Sequence, residues 1–272
     1  MNNRPQISKG FTIIEVAIVL LIVTIILGYT VALFPVQQEL KQYRQANDEM
    51  DQIIEAIYAY AQVNGRLPCA DSFAAPDGRA DQDTGADCTA NVGWSGLVPA
   101  ITLGISGNHD NNGSLVDPWG MPYRYQVTSD DRGVVGPDPA NLGVAGGDFV
   151  MPNDIQNVGM NLLRPDLQIC TVNPSLLATD TVCGSANFTV AGGTLANDRG
   201  TPAVVLSLGK DRGLDNSVVE IENIDNTLDG ATDIVFVNTT RNEAAATAYD
   251  DIVKWISPNT LYSRMIDAGQ LP

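Results

Sequence analysis

One carboxylate stands alone in an otherwise apolar stretch near the start of the chain. Glu15 lies within a hydrophobic run over residues 11–34, shortly after Gly10. A run of this length is sufficient to cross a bilayer as a helix. Because a charge at membrane depth is costly, an ionisable residue there is a hypothesis for a functional site. The segment before it, residues 1–10, is basic and contains no acidic residue.

Closely spaced aspartates form a second candidate site. Around Gly85 lie Asp77, Asp81, Asp83 and Asp87. Calcium takes six to eight hard oxygen ligands, and glycine permits the tight turn of a binding loop. The run lacks the glutamate that ends an EF-hand loop. Two interpretations stay open, a loop stiffened by calcium and a solvated acidic loop.

Four cysteines could form two disulfides. They are Cys69, Cys88, Cys170 and Cys183, with no C-x-x-C pair, and the chain has only one histidine, so a zinc site is not indicated. An even number in an exported domain favours disulfides. Pairing of sequence neighbours would close two loops and contribute about 3 kcal/mol each. The two other connectivities stay open.

Two short motifs resemble parts of hydrolase sites, and neither is complete. Gly107-Asn108-His109-Asp110 is similar to one block of the metallophosphoesterases, which need several further histidines, whereas His109 is the only one here. Gly93-Trp94-Ser95-Gly96 is similar to a nucleophile elbow, but Leu97 follows where that motif has glycine. We therefore predict no catalytic residues and no enzymatic activity.

The stretch Gly10-Phe11-Thr12-Ile13-Ile14-Glu15, with the apolar run that follows, resembles the type III signal of type IV prepilins and pseudopilins. The resemblance implies that a prepilin peptidase cuts after Gly10 and that Phe11 is then N-methylated. It also implies that the apolar helix is first an inner-membrane anchor and later part of a filament core. There Glu15 would neutralise the N-terminal amine of a neighbouring subunit. A carboxylate and an ammonium are tolerable in an apolar bundle chiefly as a pair.

Two simpler interpretations fit parts of the same segment. An ordinary secretory signal could be cut near Ala32, and a plain membrane anchor would fit the length of the run. A usual signal core is shorter than this run. Neither alternative explains Glu15.

The chain is predicted to have four parts. These are a cleaved leader (residues 1–10), a transmembrane or filament-core helix (11–35), an amphipathic helical half (36–64), and a globular β-rich pilin-like domain with irregular insertions (65–272). Pro35 should kink or loosen the helix. The apolar positions of the amphipathic half recur at three- and four-residue steps: Val36, Leu40, Tyr43, Met50, Ile54, Ile57 and Ala61. Asn64-Gly65 is typical of a helix stop.

Strands are predicted at alternating or buried apolar residues. They lie around residues 123–127, 201–208, 233–237 and 248–257, and a short helix should run from Pro258 to a stop at Gly269. The predicted fold is α+β, with a long N-terminal helix packed on an antiparallel sheet, as in a pilin-like lollipop.

The turn Ser207-Leu208-Gly209-Lys210-Asp211 also resembles pseudopilins, some of which bind calcium near such a turn. The resemblance adds Asp211 and Asp215 as candidate calcium ligands, with Glu222 and Asp225 nearby in sequence. Calcium is the only cofactor that the sequence suggests.

Together these features predict a structural subunit of a type IV pilus-like filament, specifically a minor pilin. A minor pseudopilin of type II secretion is one alternative, and a membrane-anchored exported binding domain or enzyme is another. Expected partners are prepilin peptidase, other pilin or pseudopilin subunits and an inner-membrane assembly platform. A net charge of −17 disfavours nucleic acid. The globular domain is expected in the periplasm on a single-pass inner-membrane anchor, and later in a periplasmic or extracellular filament.

Overall fold

The structure is a computed structural model. It describes residues 12–81, 94–128, 149–151, 153–160, 167–170, 189–191, 200–211, 235–242 and 248–271, with the single residues Gly10, Leu163, Pro165, Glu220 and Asn223. Side chains at residues 29–36, 154 and 189–191 are not described. The chain divides into two compact units, Met1–Arg44 and Gln45–Pro272.

Helix α1 (Ile13–Asn64) contributes to both units. In the first unit, every described side chain from residue 12 to residue 28 is exposed. Among the residues that the structure describes, no helix is both long enough and apolar enough to span a membrane.

The second part of α1 packs in the globular unit through one apolar stripe. Ala46, Met50, Ile53, Ile57 and Ala61 are completely buried, at steps of three and four residues. Met50, Ile57 and Ala61 were predicted in this stripe, whereas Ile53 is buried where Ile54 was expected. The helix ends as predicted: Gly65 adopts φ +69° and its N–H donates to the Ala61 carbonyl.

A four-stranded antiparallel sheet forms the centre of the globular unit. Its order is β1 (Ser95–Leu97), β2 (Arg124–Val127), β5 (Ala203–Ser207) and β7 (Ile252–Trp255). Each strand is antiparallel to its neighbour, and Ser207 of β5 lies opposite Ile252 of β7. This register places the turn that follows β5 beside the residues that precede β7.

A second, three-stranded sheet was not predicted. It has the order β4 (Thr189–Ala191), β3 (Gln168–Cys170) and β6 (Val235–Val237). The pair β3–β6 is parallel, whereas β3–β4 is antiparallel.

The predicted fold class is therefore wrong as stated. The globular unit contains a mixed second sheet in addition to the antiparallel one. The N-terminal helix is not one long element packed on a sheet either, because the boundary between the two units falls at Arg44 and Gln45. Its first stretch with described side chains is short, residues 13–28. The periodic spacing of apolar residues does not show where one structural unit ends and the next begins within a helix.

The central sheet is covered on both faces. On one face, Tyr123 donates a hydrogen bond to Glu49 of α1 (2.6 Å), and Lys254 donates to the Asn47 carbonyl (2.8 Å) and pairs with Asp51 (2.5 Å). On the other face, apolar residues of the two sheets form one buried cluster: Leu167, Ile169, Val204, Leu206, Leu208, Phe236 and Val253. The layers are therefore helix, antiparallel sheet and mixed sheet.

Three short helices complete the described structure. They are α2 (Ala100–Leu103), α3 (Asp154–Val158) and α4 (Pro258–Asp267). Helix α4 starts at Pro258 and is followed by Gly269 at φ +74°, as predicted. Its Arg264 forms a bidentate pair with Glu55 of α1 (2.6 and 2.9 Å) and lies over the Tyr58 ring.

Candidate functional site

The turn after β5 begins the candidate site. Strand β5 is buried along its whole length and ends at Ser207, whose hydroxyl donates to Asp117 (2.7 Å). Gly209 then turns the chain at φ +64°. A Cβ at Gly209 would lie 2.6 Å from the Asp250 carbonyl oxygen and would also collide with the Asp250 carboxylate. Glycine is therefore required by both the backbone angle and the close approach.

Asp250 lies opposite this turn because of the strand register. Its Oδ2 accepts the backbone N–H groups of Lys210 (2.8 Å) and Asp211 (3.1 Å). Its own backbone N–H donates to Oε1 of Glu220 (2.7 Å), a fully buried residue. One carboxylate oxygen each of Asp211, Glu220 and Asp250 lie within 4.8 Å of one another. We call these three residues the acidic cluster.

Asp251 adds a fourth carboxylate, close enough to the acidic cluster for their charges to interact. The residue is 3% exposed, and its Oδ2 accepts a hydrogen bond from Nδ2 of Asn223 (2.9 Å). Its Oδ1 is buried without a hydrogen-bond partner, and so is Oδ1 of Asp250. Buried carboxylate oxygens without donors are costly, so this arrangement favours a bound cation.

The pKa values of both aspartates reflect this environment. Burial, and then the charge of Asp211, raises the pKa of Asp250 to about 6. Burial raises the pKa of Asp251 well above its usual value, and the nearby carboxylates Glu220, Asp250 and Asp211 raise it further. Arg241 opposes the rise at Asp250, and Arg124 interacts with the charge of Asp251.

The residues present fit a divalent cation with oxygen ligands. Calcium prefers carboxylate and carbonyl oxygens, and it tolerates irregular geometry. The acidic cluster offers three carboxylates, and two buried carboxylate oxygens lie in or next to it without donors. Asp211, Glu220 and Asp250 would hold the ion, which would neutralise their mutual repulsion.

Only part of this site was predicted. Asp211 is in the acidic cluster, whereas Asp215, Glu222 and Asp225 lie outside the described residues. Glu220 and Asp250 were missed. For Asp250 the sequence offered only a predicted strand at residues 248–257, and the pairing of that strand with β5 is a finding of the structure. No sequence signal places Glu220 there.

The other predicted calcium loop has a different structure. Asp71 is fully buried, and its carboxylate accepts the backbone N–H groups of Asp77 (3.2 Å) and Gly78 (2.8 Å). Asp81 accepts the Ser72 N–H (3.4 Å), and Asp77 accepts the Arg79 N–H (2.9 Å). Among the described residues, neither Asp77 nor Asp81 belongs to a group of three converging ligands. Asp83 and Asp87 lie outside the described residues.

Glu15 is found at the start of α1. Its side chain accepts hydrogen bonds from the backbone N–H (3.2 Å) and the hydroxyl (3.1 Å) of Thr12, and its own N–H donates to the Thr12 hydroxyl (3.3 Å). This is a reciprocal capping box. Sequence reasoning missed it, although Thr-x-x-Glu before an apolar run is its signature. Gly10 is exposed, and Phe11 lies outside the described residues.

Two of the four cysteines are described. Cys69 and Cys170 are fully buried, and both are disulfide-bonded. Cys88 and Cys183 lie outside the described residues, so the connectivity stays a prediction.

Comparison with known proteins adds no family. The chain matches no protein-family model, no curated protein and no solved structure.

Proposed function

We propose that this chain is a structural subunit of a type IV pilus-like filament, made as a precursor that prepilin peptidase cuts between Gly10 and Phe11. The support is the signal at residues 10–15, followed by an apolar helix. The new N-terminal Phe11 would be N-methylated. The helix would leave the inner membrane to enter the filament.

The observation that carries this proposal is the exposure of the first stretch of α1. Its large apolar side chains are between 42% and 92% exposed: Ile13, Ile14, Val16, Ile18, Val19, Leu20, Leu21, Ile22, Val23, Ile25, Ile26 and Leu27. A continuous apolar surface of this kind exceeds what a soluble monomer usually exposes. It needs an apolar environment on every side, which lipid or the helices of neighbouring subunits supply.

The carboxylate of Glu15 would have one partner in the isolated chain and another in the filament. In the isolated chain it caps its own helix through Thr12. In a filament, the same carboxylate would pair with the N-terminal amine of a neighbour, because two opposite charges in an apolar bundle are each tolerable only when paired. Partners would be other pilin or pseudopilin subunits and the assembly platform of the inner membrane.

We infer a minor subunit and not the main subunit of a filament shaft. The globular unit carries a second sheet, and a domain enlarged in this way would crowd a tightly packed helical shaft. A minor pseudopilin of type II secretion has the same N-terminal signal and is the alternative within this class.

The acidic cluster supports a second, local function. We propose that Asp211, Glu220 and Asp250 bind calcium and thereby stiffen the turn after β5. The specific observation is the pair of buried, unpartnered oxygens on Asp250 and Asp251. The calcium would have a structural role.

The filament proposal is tested by the mass and N-terminal sequence of the full chain, expressed with and without a prepilin peptidase. We expect a mature chain that starts at N-methylated Phe11, and only when the peptidase is present. A chain left uncut at Gly10, or cut near Ala32, would contradict the proposal and favour an ordinary exported or anchored domain.

A second test separates processing from assembly. Glu15→Val should be cut normally, because the peptidase acts at Gly10, but it should not enter filaments assembled with wild-type partners. Asp48→Val, which removes an exposed acid from the globular part of α1, serves as the matched control and should enter them. If Glu15→Val entered filaments as well as the wild type does, the proposed role of the Glu15 carboxylate in assembly would be wrong.

A further inference from the structure

The sequence contains two Asn-Gly pairs, Asn64-Gly65 and Asn112-Gly113. In such a pair the backbone nitrogen of glycine can attack the side-chain carbonyl carbon of asparagine, because glycine has no Cβ to hinder the approach. Asparagine is one of the thermolabile residues of proteins. The structure places the two pairs in different surroundings, so their reactivity should differ.

The pair at Asn64 is held on both sides of the reacting groups. Nδ2 of Asn64 donates to the Tyr60 carbonyl (2.9 Å), and the Gly65 N–H donates to the Ala61 carbonyl (2.9 Å). Gly65 is also buried at the end of α1. The reaction requires the glycine nitrogen to lose its proton and the asparagine side chain to turn towards it, so both hydrogen bonds oppose it.

The pair at Asn112 lies in a turn that Asp110 and Ser114 close, and the Asn112 side chain is exposed. Its backbone N–H donates to Oδ1 of Asp110 (2.9 Å), but among the residues that the structure describes its side-chain amide has no hydrogen-bond partner. The Gly113 N–H donates to the Asp110 carbonyl at 3.2 Å, which is a longer hydrogen bond than that of Gly65. The Asn112 side chain is therefore free to turn towards the Gly113 nitrogen.

We propose that Asn112 is a site of spontaneous deamidation, whereas the fold protects Asn64. The Gly113 nitrogen gives its proton to solvent base and forms a bond to Cγ of Asn112, and Nδ2 takes a proton and leaves as ammonia. A cyclic succinimide results, and water then opens it. Cleavage between Cγ and the Gly113 nitrogen gives aspartate, whereas cleavage between the main-chain carbonyl carbon and that nitrogen gives isoaspartate. No atom is oxidised or reduced. The proposal is independent of the filament and of the cation site.

Both products change the turn that contains them. Each adds a negative charge near the Asp110 carboxylate, whose Oδ1 accepts the N–H groups of Asn112 and Ser114 (2.9 Å each). Isoaspartate also lengthens the main chain, so the two N–H groups no longer both reach that oxygen. The Gly113 carbonyl lies against Gly78, where a Cβ would approach it to 2.6 Å. The modified turn therefore adjoins the loop at residues 71–81.

Peptide mapping by mass spectrometry tests the site on the full chain, kept in detergent in slightly alkaline buffer. Deamidation at Asn112 should be about tenfold or more faster than at Asn64, because two hydrogen bonds of the Asn64 pair must open first. In urea the fold is lost, and the two rates should become similar. Equal rates in the folded chain would overturn the proposal, and a ratio just as large in urea would show that the fold does not protect Asn64.

Asn112→Gln is the matched variant, since it keeps an exposed amide but needs a larger ring to react. It should show no conversion at this position, while Asn64 should behave as in the wild type. Conversion that persisted in the same peptide would belong to Asn111 or Asn108 and would overturn the assignment to Asn112.

Hydrogen–deuterium exchange tests the consequence for the turn. The modified chain is separated from the unmodified chain by anion exchange, since it carries an additional negative charge. The Ser114 amide should exchange about tenfold faster in the modified chain, because it loses its hydrogen bond to Asp110. Unchanged exchange at Ser114 would show that the turn keeps its structure after the reaction.

Discussion

The loop at residues 71–81 and the acidic cluster both concentrate carboxylates, yet they use their oxygens differently. In the loop, Asp71, Asp77 and Asp81 each accept backbone N–H groups, so the acids build the turn. In the acidic cluster, three carboxylates converge within 4.8 Å, and Oδ1 of Asp250 lacks a donor. The number of acids in a stretch of sequence therefore says little about cation binding. What matters is whether hydrogen-bond donors already satisfy them.

The largest effect is expected in the loop. Asp71→Ala leaves the N–H groups of Asp77 and Gly78 without their acceptor, which should lower the free energy of unfolding by about 3 kcal/mol. Chemical denaturation in EDTA measures it. Asp77→Ala loses an exposed hydrogen bond from the Arg79 N–H and should cost less than about 1 kcal/mol. A loss for Asp71→Ala as small as that for Asp77→Ala would show that Asp71 does not build the turn.

Calcium should affect the acidic cluster and not the loop. At a hundredfold excess over its dissociation constant, calcium should stabilise the wild type by about 2.7 kcal/mol. Asp250→Asn should abolish this increment, because it removes a central ligand, whereas Asp77→Asn should keep it. Thermal unfolding with calcium and with EDTA gives both values. If Asp77→Asn lost the increment and Asp250→Asn kept it, calcium would bind in the loop and not at the acidic cluster.

The pH dependence separates the regions further. Burial raises the pKa of Asp71 to about 6 in the folded chain, above its ordinary value of 3.8. The folded state therefore holds this proton more tightly, and the stabilisation is complete below pH 3.8 and lost as the pH rises through about 6. Between pH 4 and pH 7 we expect Asp71 to contribute a fall of about 2 kcal/mol.

Asp71→Asn should remove that contribution, and calcium should leave it unchanged. Denaturation curves across this pH range, with calcium and with EDTA, measure both. A calcium-dependent change in the Asp71 contribution would mean that the two regions are not independent.

The smallest contrast between the two regions concerns two glycines in left-handed conformations. Gly78 (φ +76°) and Gly209 (φ +64°) both lack room for a Cβ, the first against the Gly113 carbonyl and the second against Asp250. Alanine at either position should cost at least about 2 kcal/mol, because the collision with backbone adds to the cost of the left-handed angle. Only Gly209→Ala should also weaken calcium binding, as measured by calorimetry, because it displaces a ligand. Equal calcium affinities in the two variants would argue against Asp250 as a ligand.

Local patterns were sufficient for several elements of the fold. The strands at β2, β5, β6 and β7, the stop at Gly65 and helix α4 all follow from apolar spacing, glycine and proline. The mixed sheet could not be found in this way. Strands β3 and β4 are three residues long, too short for a periodic signal, and β3 pairs with the predicted strand β6 across a long stretch of sequence.

The same limit applies to the acidic cluster. Asp211 was predicted because its turn resembles the turn near which some pseudopilins bind calcium. Asp250 is brought to it by the β5–β7 register, and Glu220 by a hydrogen bond to the Asp250 backbone. These are tertiary contacts, and a sequence pattern does not encode them separately. The capping box of Glu15 is a local contact by contrast, and the pair Thr12 and Glu15 was sufficient to recognise it.

The side-chain amide of Asn223 lies at the edge of the mixed sheet. Strand β6 is at one edge of the mixed sheet, and its Asn238 N–H donates to Cys170 of β3 on the inner side. On the outer side, Asn223 satisfies both the N–H and the carbonyl of Val237, as an additional strand would do. An open edge is a template for strand addition by another chain. Asn223 thus takes up the backbone groups of Val237 that another copy of the chain would need in order to add a strand at this edge.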